Sequence, residues 1–124
     1  MPILLIVEDD PHLRKLYKRE FSENGYHVLE AADGQEALCV LAAEQPDLVM
    51  LDIVMPGLDG IELLERIVHQ TPQLPIVINT AYSVYQHNYL TWSADAYVVK
   101  SSDLTELKDT VRSVLEKRRK VIES

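Results

Sequence analysis

The sequence predicts an α/β domain in which a parallel sheet is wound between helices on both faces. Short apolar runs alternate along the chain with segments whose apolar residues recur at helical spacing. The runs are continuously apolar, as is typical of parallel strands that are covered on both faces. Five strands alternating with five helices define a doubly wound architecture, which we expect to form one domain over residues 1–124.

The first half of the chain contains three of the predicted strands. Ile3–Val7 predicts the first strand, and Asp10 before Pro11 predicts the start of a helix, because proline lacks an N–H that the first turn leaves unpaired. Asn24-Gly25 ends this helix. The next elements are a strand at His27–Glu30, a helix with the apolar face Ala37, Leu38, Leu41 and Ala42, and a strand at Asp47–Leu51.

The second half continues the same alternation. After a turn-rich loop, Met55–Gly60, the spacing predicts a helix with the apolar stripe Ile61, Leu64, Ile67 and Val68, then a strand at Pro75–Asn79. A fourth helix is predicted at Ser83–Trp92, a fifth strand at Ala96–Val99, and a last helix that starts near Asp103. The aromatic residues at helical spacing around the fourth helix fit either core packing or an exposed surface; they are Tyr82, Tyr85, Tyr89 and Trp92.

Composition excludes several classes of function. The chain has 124 residues, a formal charge of -8 and a pI near 4.9, which argues against direct nucleic-acid binding and against anionic membranes. No apolar run is long enough to span a bilayer, and no signal peptide is evident, so we expect a cytoplasmic protein. The single cysteine, Cys39, lies in an apolar helical stretch and is expected to be buried and unreactive.

Polar residues follow the apolar runs at the ends of four predicted strands. Glu8–Asp10 follow the first strand, Asp52 the third, Thr80 the fourth and Lys100 the fifth. Because open α/β sheets bind ligands beyond the carboxyl ends of their strands, these side chains should converge on one patch. Carboxylates suit Mg²⁺ and can act as nucleophiles toward phosphoryl groups, whereas lysine and threonine can bind phosphate oxygens. Taken singly, each residue also fits a helix cap or a turn, but their joint placement favours a site.

The order and spacing of four motifs resemble the receiver domain of bacterial two-component response regulators (CheY-like). The similarity covers residues 2–122, and its motifs are Ile6–Asp10, Asp47–Gly60, Asn79–Ala81 and Tyr97–Lys100. The resemblance implies a flavodoxin-like, five-stranded parallel sheet with strand order 2-1-3-4-5. It further implies that Gly60 is the family's glycine at the start of the third helix.

The resemblance also implies a phosphorylation site and a magnesium site. Asp52 would accept a phosphoryl group from a histidine kinase or a phosphotransfer protein. Mg²⁺ would be bound by Glu8, Asp9, Asp52 and the backbone carbonyl of Val54, whereas Asp10 would cap the first helix.

Three further residues would respond to the phosphoryl group in a domain of this family. Thr80 would donate a hydrogen bond to it, Lys100 would pair with it, and Tyr97 would be the aromatic switch residue. Ser101 departs from the family, which most often has proline after its lysine in a cis peptide. Both a cis and a trans Lys100–Ser101 bond are compatible with the sequence, although a cis bond before serine costs about 3 kcal/mol.

The leading functional hypothesis is a signalling switch of a two-component phosphorelay. It would not be an enzyme beyond catalysing its own phosphorylation and dephosphorylation. It would change a docking face formed by the fourth helix, fifth strand and fifth helix, which binds a downstream protein or a second copy. It would be either a stand-alone receiver or part of a longer protein. The alternatives are a pseudo-receiver that docks without phosphorylation and a phosphohydrolase with an aspartyl nucleophile.

Overall fold

A five-stranded parallel sheet forms the frame of the chain. The computed structural model describes residues 1–54, 60–82, 91 and 93–123, with side chains up to residue 118. The strand order is β2-β1-β3-β4-β5 and every pairing is parallel, which confirms the predicted architecture. The elements in chain order are β1 (Ile3–Val7), α1 (Pro11–Glu23), β2 (His27–Ala31), α2 (Gly34–Ala43), β3 (Leu48–Leu51), α3 (Gly60–Gln70), β4 (Ile76–Thr80), β5 (Ala96–Val99) and α4 (Thr105–Glu123).

Two of the predicted segments lie largely outside the described residues. These are the loop at 55–59 and the fourth helix at Ser83–Trp92, of which the structure describes Thr91. The last predicted helix corresponds to α4, which begins at Thr105, two residues after Asp103. The Asp103 carboxylate accepts the Thr105 N–H at 2.9 Å, so Asp103 forms a turn before the helix.

Apolar side chains fill both faces of the sheet. On one face the strands pack against Leu63, Leu64 and Ile67 of α3. On the other face they pack against Tyr17 and Phe21 of α1 and against α4. This double burial explains why β1 and β3 are continuous apolar runs and why β4 is apolar up to Ile78, before Asn79 and Thr80. Within the described part of the chain, no helix combines the length and apolarity that crossing a membrane requires.

The ends of α1 follow the sequence prediction. The Asp10 carboxylate accepts the N–H groups of His12 and Leu13 at 2.9 and 3.3 Å, and Pro11 occupies the first helical position. These two bonds hold the pKa of Asp10 below its usual value. At the other end the helix is closed by Asn24, and Gly25 adopts a φ of +90°, which favours glycine. Asp10 is therefore a helix cap.

Two aspartates fix where neighbouring strands begin. Asp47, just before β3, accepts the Ile3 N–H through Oδ2 at 2.6 Å and donates its own N–H to the Ile3 carbonyl at 2.7 Å. Asp95, just before β5, forms the same pair of bonds with Ile76, both at 2.8 Å. The β1–β3 and β4–β5 pairings are thus both tied at their amino ends.

The predicted apolar face of α2 is partly wrong. Leu38, Val40 and Leu41 pack against the core, but Ala42 and Cys39 are exposed. Almost every residue of this helix is apolar, so its periodicity does not identify one inward face. The thiol of Cys39 therefore lies on the solvent side of α2.

Gly60 allows α3 to approach the segment after β3, and its replacement should destabilise the fold. A Cβ at Gly60 would lie 2.2 Å from the Ile53 Cα, which is backbone and cannot move aside cheaply. We expect Gly60→Ala to lower the free energy of unfolding by about 3 kcal/mol, as measured by urea denaturation. Gly25→Ala is the control, because it meets no atom within 4 Å and costs about 1 kcal/mol from its positive φ. Equal losses in the two variants would contradict the close approach.

Candidate functional site

Glu8 and Asp9 lie directly after β1, at the carboxyl edge of the sheet. Glu8 is 2% exposed, its N–H donates to the Ala31 carbonyl at 3.0 Å, and its Oε2 accepts the Asp10 N–H at 3.2 Å. Burial raises the pKa of Glu8, although the hydrogen bond and charge of Lys100 oppose that rise. Glu8 is therefore a buried carboxyl group in an environment that favours a nearby cation.

Asp52 lies directly after β3, the strand that pairs with β1. It is 5% exposed, and its N–H donates to the Val7 carbonyl at 3.1 Å, which continues the strand pairing. Its Oδ1 accepts the Val54 N–H at 3.0 Å, and its Oδ2 accepts from the Lys100 ammonium at 2.7 Å. Both carboxylate oxygens are held, so the orientation of the Asp52 carboxylate is fixed.

Lys100 comes from the end of β5 and bridges the two buried acids. Its Nζ lies 2.7 Å from Glu8 Oε1 and 2.7 Å from Asp52 Oδ2. Its backbone N–H donates to the Thr80 carbonyl at 2.7 Å. Burial alone would lower the pKa of Lys100, but its hydrogen bonds to Asp52 and Glu8 and their charges outweigh burial and raise the pKa. The side chain is therefore a permanent cation at neutral pH.

Three carboxylates are arranged so that they can hold a metal ion. One oxygen from each of Glu8, Asp9 and Asp52 lies within 4.8 Å of the others. Glu8 and Asp52 are buried, whereas Asp9 reaches solvent. A hard divalent cation such as Mg²⁺ prefers carboxylate oxygens and retained waters, so a cluster with one open side suits it.

Thr80 places an unused hydroxyl at the same edge of the sheet. It ends β4, it is fully buried, and its Oγ1 has no hydrogen-bond partner among the residues that the structure describes. An unpaired buried hydroxyl costs free energy, so such groups usually have a partner in some state of the protein. The Thr80 hydroxyl is thus available to an incoming oxygen ligand.

Tyr97 connects β5 to the segment that follows β4. Its phenol donates to the Tyr82 carbonyl, and its ring packs partly against the core. Tyr82 itself is 52% exposed. The other aromatic residues of the predicted stripe, Tyr85, Tyr89 and Trp92, lie outside the described residues. A change near Thr80 can therefore reach Tyr97 through Ala81 and the Tyr82 carbonyl.

The bond between Lys100 and Ser101 is trans, since no cis peptide occurs among the described residues. The Ser101 hydroxyl accepts the Asp103 N–H at 3.2 Å, which shapes the turn before α4. Lys100 nevertheless reaches Asp52 and Glu8. The departure from the family at Ser101 therefore leaves the position of the ammonium intact.

Sequence reasoning missed Arg14, which contacts this site. Arg14, one turn into α1, donates from Nη1 to the Glu8 carbonyl at 2.8 Å. Its acceptor is a backbone atom, so the side-chain identity of Glu8 gives no signal for this contact. Its spacing of six residues from Glu8, with Asp10 as the helix cap between them, was the available hint.

The sequence comparison agrees with this geometry. Residues 4–112 match the family described as response regulator receiver domain. The chain therefore belongs to the receiver-domain family of response regulators.

Two relatives illustrate the range of proteins that contain such a domain. Sporulation initiation phosphotransferase F of Bacillus subtilis is 35% identical over 116 residues, which cover 90% of this chain and 92% of the relative. Transcriptional regulatory protein AfsQ1 of Streptomyces coelicolor is 38% identical over 117 residues, which cover 93% of this chain and 52% of the relative. The chain thus spans about half the length of several curated relatives that it matches.

Solved structures show the same fold. The response regulator protein TrrA from Thermotoga maritima, in complex with Mg²⁺ and BeF, superposes with a TM-score of 0.89 at 41% identity, covering 92% of this chain and 99% of TrrA. TrrA in complex with the histidine kinase ThkA gives a TM-score of 0.87 at 42% identity, covering 93% and 99% of the two chains.

Removing the Lys100 ammonium should destabilise the protein more than removing an exposed cation. Lys100→Met leaves two buried carboxylates without a counter-ion, and we expect a loss of about 3 kcal/mol in unfolding free energy. The control is Lys18→Met. The Lys18 side chain is 51% exposed and pairs with Glu30, so the loss in this variant should stay below about 1 kcal/mol. Urea denaturation without divalent cations measures both. Similar losses would show that the buried bridge contributes no more than a surface pair.

Proposed function

We propose that the chain is a phosphoacceptor switch of a two-component phosphorelay, with Asp52 as the phosphorylated residue. One observation supports it above the rest. A buried carboxylate with fixed orientation pairs with a cation and is grouped with two further carboxylates; these residues are Asp52, Lys100, Glu8 and Asp9. Thr80, at the end of the neighbouring strand β4, adds a buried hydroxyl that has no partner among the described residues. This set provides a nucleophile and groups that bind phosphate oxygens.

In the proposed reaction, a carboxylate oxygen of Asp52 attacks the phosphorus of a donor. The bond from phosphorus to the donor's leaving atom breaks, and its electrons leave with the donor, so Asp52 becomes an acyl phosphate. The Lys100 ammonium and the Thr80 hydroxyl supply the positive charge and the hydrogen bond that the transferred oxygens need. The buried hydroxyl of Thr80 then gains the partner that it lacks among the described residues.

We further propose that Glu8, Asp9, Asp52 and the carbonyl of Val54 hold Mg²⁺. Bound there, Mg²⁺ would neutralise charge on the phosphoryl oxygens and on the acids. The three carboxylates and the Lys100 ammonium carry a formal charge of about -2, which explains why a further cation is attractive. A second cation would also reduce the attraction that holds Lys100 between Glu8 and Asp52, leaving its ammonium free to pair with phosphate.

The change of surface would begin at Thr80 and end at Tyr97. Movement of the Thr80 hydroxyl toward a phosphoryl group shifts the chain leading to Tyr82, whose carbonyl accepts the Tyr97 phenol. The phosphate alters the balance between two packing arrangements that both exist beforehand. The affected face would comprise the Ser83–Trp92 segment, β5 and α4.

The proposal includes partners and cellular setting. A histidine kinase or phosphotransfer protein would donate the phosphoryl group, as the complex of TrrA with the kinase ThkA suggests. A downstream protein or a second copy of the chain would bind the changed face. The formal charge of -8 disfavours direct contact with nucleic acid or anionic membranes. Residues 1–124 would act as a single receiver domain in the cytoplasm, without turnover of a separate substrate.

Magnesium should stabilise the protein through the acidic cluster. At ten times its dissociation constant, a ligand adds about 1.4 kcal/mol to the free energy of unfolding. We expect Mg²⁺ to raise the melting temperature of the wild type and Asp9→Asn to lose most of that gain. Differential scanning calorimetry with and without Mg²⁺ measures the effect, and Asp33→Asn, which removes a carboxylate that caps α2, serves as control. An unchanged response in Asp9→Asn would place the metal elsewhere.

Phosphorylation should require the carboxylate of Asp52. After exposure to Mg²⁺ and acetyl phosphate, intact mass spectrometry should show one added phosphoryl group on the wild type and none on Asp52→Asn, because an amide is not a competent nucleophile here. An unmodified wild type would favour the pseudo-receiver, and sustained turnover of the donor would favour a phosphohydrolase. Full labelling of Asp52→Asn would exclude Asp52 as the acceptor.

A further inference from the structure

Arg14 contacts the acidic cluster from outside, through the backbone. Its Nη1 donates to the Glu8 carbonyl at 2.8 Å, and its Nε lies 3.8 Å from Glu30 Oε1. The side chain is 21% exposed, so water competes only partly for its donors. The guanidinium thus lies between the loop after β1 and strand β2.

The acceptor of this bond belongs to the peptide group that joins Glu8 to Asp9. A peptide group is planar, so fixing the Glu8 carbonyl also fixes the direction in which the Asp9 backbone continues. The Glu8 N–H is already held by the Ala31 carbonyl, and its side chain by Lys100 and the Asp10 N–H. Arg14 holds the remaining polar group of Glu8, the carbonyl, and thereby orients the residue that carries the third carboxylate.

The chemistry of this contact favours arginine over lysine. A planar guanidinium presents several donors in a fixed fork, which lets it face acceptors on two different elements at once. Glu30, one of those acceptors, lies on β2 in register with Ile6 of β1, and it also pairs with Lys18 at 3.2 Å. Glu30 therefore supports the guanidinium from a strand whose position is set by the sheet.

We propose that Arg14 is a positioning residue for the divalent cation, acting through the Glu8–Asp9 peptide group. The inference rests on the proposed function, because it presupposes that Glu8, Asp9 and Asp52 bind the metal. The hydrogen bond and the positive charge of Arg14 have opposite effects on metal affinity, so removal of Arg14 distinguishes between them. Loss of the orienting hydrogen bond weakens metal binding, whereas loss of a nearby positive charge would strengthen it.

The test is the dissociation constant of Mg²⁺, measured by isothermal titration calorimetry at constant ionic strength. Arg14→Met should raise the dissociation constant about tenfold, as replacement of an outer-shell partner of a metal site typically does. Arg14→Lys keeps the charge and one donor group, so its dissociation constant should rise less. Lys18→Met is the matched control. Lys18 lies on the same helix as Arg14 and also pairs with Glu30, but none of its described bonds reaches Glu8.

The melting temperature of each variant without metal separates a positioning role from general destabilisation. A purely structural loss lowers the melting temperature but leaves the Mg²⁺ affinity of the folded protein unchanged. An equal or tighter affinity in Arg14→Met, or an equal weakening in Lys18→Met, would overturn the proposal. If Arg14→Met does not fold, a wild-type affinity in Arg14→Lys would overturn it. Absence of Mg²⁺ binding by the wild type would instead refute the metal site, and with it the proposed function.

Discussion

The ammonium of Lys100 lies between the carboxylates of Glu8 and Asp52, and the arrangement at this edge of the sheet depends on that bridge. Burial removes the water that would otherwise solvate the two acids, so their repulsion has to be balanced within the protein. The balance is incomplete, because the pKa of Glu8 stays raised. The groups that make the site attractive to a cation are therefore also a source of instability in its absence, a conflict common in functional sites.

The sheet determines which residues meet at this bridge. β1 pairs with β3, β3 with β4 and β4 with β5, so the ends of four adjacent strands form one edge. The pairing continues past the strands, since the Asp52 and Lys100 N–H groups donate to the Val7 and Thr80 carbonyls. Side chains that are far apart in the chain are thus placed by backbone hydrogen bonds rather than by loops, which gives the site a rigid base.

Much of this arrangement could be predicted from the sequence because the strands are short apolar runs and their polar successors are chemically distinctive. The same method failed on α2, where an almost wholly apolar helix gave no preferred face and Cys39 was wrongly expected to be buried. It left the Lys100–Ser101 bond open, because tertiary packing decides that geometry. It also missed Arg14, since a contact with a backbone carbonyl depends on how α1 sits against β1.

Asp47 and Asp95, at the amino ends of β3 and β5, affect how the protein tolerates substitutions. Asp47 ties the start of β3 to β1, and Asp95 ties the start of β5 to β4. A strand that slipped by one residue would move its far end by about 3.3 Å, more than the length of either Lys100 ion pair, and would turn its side chains to the other face. Substitutions at Asp47 or Asp95 would therefore reduce function in a mutational screen, although neither residue contacts the site carboxylates that it helps to align.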